Sequence, residues 1–173
     1  MVDKNIKNLI LFFIITIFVV YSDSSNARSG KIKIDKSLKV ELNHILKATS
    51  ELHGACFNKN EPLIATKLKG LETRIIRAKS SPSLYAGHVQ HIVKTLNSIK
   101  ETVEMSQIQN GKYREQSLKL TFEKVAQLAK VYNLDKYRIF FCSKDKSTWI
   151  QKGWKAKNPV HPEKFKNCGT LVR

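Results

Sequence analysis

Residues 38–56 read LKVELNHILKATSELHGAC, and their apolar side chains recur at steps of three and four residues. This spacing places those side chains on one side of an α-helix, since a strand would alternate them at every second residue. The members of this first stripe are Leu38, Leu42, Ile45, Thr49, Leu52 and Cys56. The stretch therefore predicts an amphipathic helix that must bury one face against other elements.

Three further stripes with helical spacing follow along the chain. Their members are Ile64, Leu68, Leu71, Ile75 and Ala78, then Tyr85, Val89, Ile92, Leu96, Ile99 and Val103, and finally Leu118, Phe122, Val125, Ala129 and Tyr132. Pro62, Pro82 and Gly111 mark the short connections between the stripes. Amphipathic helices with short connections predict an all-α fold, an antiparallel up-and-down four-helix bundle over residues 28–135.

Residues 136–173 break the helical pattern. They hold both tryptophans of the chain, two prolines and two of the three cysteines. An aromatic, β-favouring run at residues 137–141 allows one short strand. We expect an ordered, mostly irregular C-terminal tail that packs on the bundle through its aromatic side chains.

The first 27 residues predict a signal peptide. Lys4 and Lys7 precede an apolar run at residues 9–21, which is shorter than the ~20 residues a membrane-spanning helix needs. Ser25 and Ala27 occupy the small-residue positions before a cleavage site, so we expect cleavage after Ala27 and a periplasmic or secreted protein. An uncleaved membrane anchor is the alternative.

The composition is that of a folded, strongly basic domain. The 173 residues are 42% hydrophobic and carry 31 Lys and Arg against 14 Asp and Glu, a net charge of +17. Such an excess favours anionic partners, and export makes nucleic acid an unexpected one. Anionic lipid and acidic polysaccharide remain as possible partners.

The positive charge is concentrated in the tail, where ten Lys and Arg face only Asp145 and Glu163. The tryptophans interleaved with these cations are typical of a surface that contacts an anionic polymer. The alternative is a solvated lysine-rich surface, since Lys dominates over Arg here. The predicted basic surface consists of Lys144, Lys146, Lys152, Lys155, Lys157, Lys164 and Lys166.

Cys142 and Cys168 lie 26 residues apart in this tail. In an oxidising compartment they are expected to form a disulfide, which chain entropy makes worth roughly 3 kcal/mol. The alternative is a pair of thiolates that binds a metal ion, with His161 as a third ligand.

A second possible metal set lies on the predicted helices. His53 and Cys56 are one helical turn apart, and His88 lies on the third helix. Imidazole and thiolate are ligands for zinc or copper, which are the possible cofactors. The alternative is a buried free cysteine, which behaves as a small apolar residue, together with surface histidines.

The sequence gives no support for an enzyme. It contains no Gly-x-Ser-x-Gly, no phosphate-binding glycine loop and no His-Glu-x-x-His. Acidic residues are scarce, and no pair is placed for acid–base catalysis. A catalytic Cys56 assisted by His53 or His88 lacks any supporting motif.

The tail resembles a known bacterial domain in its fixed positions. These are Phe141-Cys142, Trp149-Ile150-Gln151, Asn158-Pro159 and Cys168-Gly169. They are similar to the C-terminal signature of the periplasmic domain of unknown function three-three-four-seven, which occurs alone or beside adaptors of copper and silver efflux systems. The matching signature residues are Trp149, Asn158, Pro159 and Gly169.

This resemblance implies a non-enzymatic envelope domain that handles copper, with an efflux adaptor or another envelope protein as partner. Lys144 and Phe165 stand where the family has methionines, the soft ligands that select Cu(I). Two functions therefore follow from the sequence. The first is a metal-handling envelope domain, and the second is a basic interaction module for anionic envelope polymers, lipids or a partner protein.

Overall fold

The computed structural model describes residues 34–84, 90–134 and 136–172, all within one compact unit, Lys31–Arg173. The predicted signal peptide lies outside the described residues. Those residues form helices α1 (Lys36–Phe57), α2 (Glu61–Lys79), α3 (Gln90–Ile108) and α4 (Gly111–Val131), a 3-10 turn (Pro82–Leu84), and strands β1 (Arg138–Phe141), β2 (Thr148–Gln151) and β3 (Thr170–Leu171).

The first two helices begin at side chains that cap their free backbone N–H groups. The Asp35 carboxylate accepts hydrogen bonds from the N–H groups of Ser37 and Leu38 at the start of α1. The Asn60 side chain accepts one from the N–H group of Leu63, at the start of α2. Such caps satisfy donors that have no partner within the helix.

The four predicted helices are confirmed, and their apolar stripes form the core. Every member of the first, second and fourth stripes is buried, as are the four described members of the third. Tyr85 and Val89 of the third stripe lie outside the described residues. Each fully buried Leu, Ile or Phe contributes roughly 1.5–3 kcal/mol to folding, so this core is the main source of stability.

Helices that follow one another in the chain pack together. Contacts join α1 to α2, α2 to α3 and α3 to α4, and α1 also touches α4. In the part of the chain that the structure describes, no helix is long and apolar enough to cross a membrane.

The tail contains a small sheet, so the fold is mostly helical rather than purely α. β1 lies between β2 and β3 and is antiparallel to both. The predicted run at 137–141 does contain β1, but no pattern in the sequence indicates β2 or β3. These strands have four and two residues, too few for a periodic pattern. β2 contacts both α4 and α1, which seats the sheet on the helices.

A disulfide joins Cys142 to Cys168, with 5.3 Å between their Cα atoms. Cys142 follows β1 and Cys168 precedes β3, so the bond links the ends of two paired strands. In this oxidised state neither sulfur is a thiolate. The two cysteines therefore do not form the alternative, a thiolate pair that binds a metal ion with His161.

Candidate functional site

The predicted tail signature forms the packed centre of the tail. The Trp149 ring is fully buried and stacks on Phe140, with 6.0 Å between the ring centroids. A Cβ atom added at Gly169 would lie 2.8 Å from the Trp149 ring and 2.9 Å from the Cβ of Ala156. Glycine is therefore required at position 169 by the close approach of the tryptophan.

Asn158 is the polar member of this centre and is fully buried. Its Nδ2 donates to Oδ2 of Asp145 at 2.8 Å, and its Oδ1 accepts from the N–H groups of Val160 and His161. Burial opposes ionisation of Asp145, but hydrogen bonds from Ser147 and Asn158 outweigh it and hold the pKa of the carboxyl below its usual value. Pro159 is buried beside Asn158. The signature residues thus hold the tail together.

Gln151 fixes the loop at residues 152–157, a role that its place in the Trp149-Ile150-Gln151 motif did not indicate. Its Oε1 accepts from Nε1 of Trp149 at 2.9 Å and from the N–H group of Lys157 at 3.0 Å. Its Nε2 donates to the carbonyl groups of Gly153 and Lys155 at 3.0 and 2.8 Å. The buried amide therefore uses its bonding capacity to hold one loop in place.

His53 connects α1 to the same loop. Its Nε2 donates to the Lys157 carbonyl at 2.7 Å, and the side chain packs between Phe57 and Phe122. Burial lowers the pKa of His53 to about 4, because the charged form loses its hydration. His53 is thus neutral near pH 7 and has one ring nitrogen committed to the tail.

Those residues predicted to bind a metal ion that the structure describes do not come together. Among the described residues, no group of three or more His, Cys, Asp or Glu side chains is arranged to hold a metal ion. Burial raises the pKa of the Cys56 thiol to about 12, which keeps it protonated. Nδ1 of His161 lies 3.9 Å from a Glu115 oxygen, and His88 lies outside the described residues. The described side chains do not fit a copper or zinc centre.

A groove of about 340 Å³ lies between α1 and the loop at 152–157. His53 and Gly54 line its α1 side, and Trp154, Lys155 and Lys157 are among the residues that line the other. A Cβ atom added at Gly54 would meet nothing within 4 Å, so the space above this glycine is open. The groove is therefore accessible along α1.

Trp154 is the most exposed aromatic side chain of the tail, at 73%. The guanidinium carbon of Arg138 lies 3.4 Å from the centre of the indole ring, and its Nη1 donates to the Lys152 carbonyl. This cation–π contact is worth about 0.5–1 kcal/mol at an exposed position and orients the indole. The sequence places Trp154 among lysines, but no pattern in it indicates Arg138 as a neighbour.

All seven lysines of the predicted basic surface are exposed. Within the described residues, none of them forms an ion pair with a carboxylate, whereas Lys59 pairs with Glu163 and Arg114 with Glu61. The ammonium groups of Lys157 and Lys166 lie 5.3 and 5.9 Å from the centre of the Phe57 ring. Among the described residues, these seven lysines are therefore not neutralised by ion pairs.

No protein-family model matches the chain, and no match was found among the curated proteins or the solved structures. The resemblance to the copper-associated periplasmic domain stays a prediction, and its specific residues are those of the tail.

Proposed function

We propose that this protein is a non-enzymatic module that binds an anionic polymer through the lysines of its C-terminal tail. The observation that carries the proposal is the exposure of all seven lysines without a carboxylate partner among the described residues. A surface of one sign attracts oppositely charged polymers over about a Debye length, roughly 8 Å at physiological salt. Many lysines acting together give affinity without the bidentate geometry of arginine.

The chemistry of the buried groups favours binding over catalysis. The low pKa of His53, about 4, makes it a weak base at neutral pH. The high pKa of Cys56, about 12, keeps its sulfur in the unreactive thiol form. Neither side chain is suited to attack a substrate or to move a proton near pH 7.

The proposal includes export and the up-and-down arrangement of the four helices. The disulfide supports export, because such bonds persist in oxidising compartments. The connections at residues 58–60 and 109–110 support the arrangement, because so short a link requires neighbouring helices to run in opposite directions.

A salt series tests the function. The protein with its disulfide intact is titrated with polygalacturonate, polyphosphate, vesicles rich in phosphatidylglycerol, and neutral dextran. We expect at least one anionic polymer to bind, with affinity falling steeply as NaCl rises, and dextran not to bind. Absence of binding to every anionic probe at low salt, or affinity that does not change with salt, would overturn the proposal.

A further inference from the structure

The indole of Trp154 presents one open face beside the groove. Arg138 stacks on the ring at 3.4 Å, yet the side chain remains 73% exposed. Since the guanidinium covers one face, this exposure belongs largely to the opposite face. A flat, electron-rich ring held in this way can stack against the polarised C–H groups of a sugar.

The ring and its loop are fixed before any ligand arrives. Gln151 holds the loop backbone through Gly153, Lys155 and Lys157, and His53 holds the Lys157 carbonyl from α1. A ligand that docks here does not have to order the loop, which lowers the entropic cost of binding.

The polar groups around the groove match those of an acidic sugar. Lys152, Lys155 and Lys157 line it, as do Ser50 and Asn58. Ammonium groups bind carboxylates, while hydroxyl and amide groups bind sugar hydroxyls. A uronic acid ring carries a carboxylate, hydroxyls and an apolar C–H face, so it uses each part of this lining.

The groove continues beyond one sugar ring. A second depression of about 390 Å³ shares Phe57 and Asn58 with the first. It is also lined by Lys166 and by Glu163, whose carboxylate is paired with Lys59. Lys157 and Lys166 both lie against the Phe57 ring, so two cations stand beside the path between the depressions. An extended chain with repeated negative charges fits this path better than a single small anion does.

A polysaccharide fits the site better than an anionic membrane surface. Among residues 152–157, Trp154 is the only exposed apolar side chain, so the loop offers a single anchor. An indole that entered a bilayer would carry the Arg138 guanidinium with it, and a charge in hydrocarbon is costly. A concave groove also follows a chain more closely than it follows a flat surface.

Building on the function proposed above, we propose that the groove between α1 and residues 152–157 binds an acidic polysaccharide, with one sugar ring stacked on the open face of Trp154. The lysines beside the groove then bind the carboxylates of that sugar and of its neighbour in the chain. This assigns sugar recognition to Trp154 and the space above Gly54, and charge recognition to the lysines.

Tryptophan fluorescence tests this directly, because the chain has two tryptophans and Trp149 is fully buried. Oligogalacturonate is expected to shift the emission of Trp154 to shorter wavelength and to protect it from iodide quenching. Trp154→Ala is expected to weaken binding about tenfold, the size of a lost ring-stacking contact. Trp154→Phe, which keeps a smaller ring, is expected to lose less.

Two glycine variants provide a matched pair for the groove itself. Gly54→Leu fills the space beside Trp154, and Gly70→Leu adds the same side chain to α2; both positions have nothing within 4 Å of an added Cβ. Gly54→Leu is expected to weaken oligogalacturonate binding about tenfold, the order of one lost stacking contact, and Gly70→Leu to leave it unchanged. Circular dichroism and thermal melts check that both variants fold.

The outcomes separate the two proposals. Salt-dependent binding with unchanged Trp154 emission, or equal effects of both glycine variants, would overturn the groove assignment and leave the proposed function standing. Preference for anionic vesicles over oligogalacturonate would overturn the sugar assignment in favour of a lipid surface. Failure of every anionic probe to bind would remove the proposed function and the groove assignment with it.

Discussion

Two grooves of similar size lie along α1, and they differ in how their charges are arranged. The α2 groove, between α1 and α2, has a volume of about 320 Å³ and is lined by Lys47, Lys67 and Arg74. The tail groove, between α1 and residues 152–157, has a volume of about 340 Å³ and is lined by three lysines. In the α2 groove, Glu51 lies 2.7 Å from Lys67 and partly neutralises the site, and none of the lining residues is Phe, Tyr or Trp. The tail groove has an oriented indole and three lysines that form no ion pair with any described carboxylate. A net charge of +17 therefore says less about binding than the positions of the few carboxylates do.

The largest expected difference in stability is between substitutions at the two tryptophans of the tail. Trp149→Ala removes the fully buried ring beneath the tail, and we expect a loss of about 3–5 kcal/mol in the free energy of unfolding in urea. Trp154→Ala removes an exposed ring and is expected to cost less than about 1 kcal/mol. Equal losses would mean that Trp149 does not support the tail groove.

The helices were predictable from the sequence because their signal is local. Each stripe repeats over about four or five helical turns, and burial in the folded protein follows the stripes. The disulfide was predictable from the expected compartment. β2 and β3 were not, because such short strands depend on pairing with β1 rather than on their own pattern.

The tail groove was not predictable, since Gly54 and Trp154 are distant in sequence and meet only in the folded chain. His53 shows the same limit. Its spacing to Cys56 suggested a metal ligand, but its Nε2 donates a hydrogen bond to the Lys157 carbonyl, which belongs to the tail. Only the tryptophan among lysines was a visible signal in the sequence.

The next largest effect is a pH dependence of stability that comes from His53, which contacts the tail. The pKa of His53 is about 4 in the folded protein and 6.5 ordinarily, so between these values the unfolded chain binds the proton more readily. Stability is therefore present above pH 6.5 and is lost as pH falls towards 4, by up to about 3 kcal/mol. Urea unfolding across this window measures the loss. His53→Gln removes the titrating group and is expected to flatten the dependence; an unchanged slope would contradict the assignment.

A smaller effect on stability distinguishes Gly169 in the tail from Gly70 in the α2 groove. Gly169→Ala places a Cβ against the Trp149 ring and is expected to cost about 1–3 kcal/mol in unfolding free energy. Gly70→Ala, in the open α2 groove, is expected to stabilise α2 by about 0.5–1 kcal/mol. If both variants shift the free energy of unfolding in the same direction, Gly169 does not pack closely against the Trp149 ring.

The smallest effect lies at the indole itself. Arg138→Ala removes the cation from one face of Trp154 and is expected to cost about 0.5–1 kcal/mol. The fluorescence emission of Trp154 is expected to change in this variant, while the near-ultraviolet circular dichroism of buried Trp149 stays the same. Unchanged emission would argue against the stacked arrangement.

The most direct test of the account compares two variants of equal charge. One replaces Lys152, Lys155, Lys157 and Lys166 with Ala, and the other replaces the exposed helical residues Lys39, Lys69, Lys94 and Lys112. Affinity for polygalacturonate is measured by calorimetry at low salt. We expect affinity to fall tenfold or more for the tail variant and less than about threefold for the helical one, a difference of at least roughly 0.7 kcal/mol. Equal losses would show that net charge alone attracts the polymer and that the tail is an ordinary solvated surface.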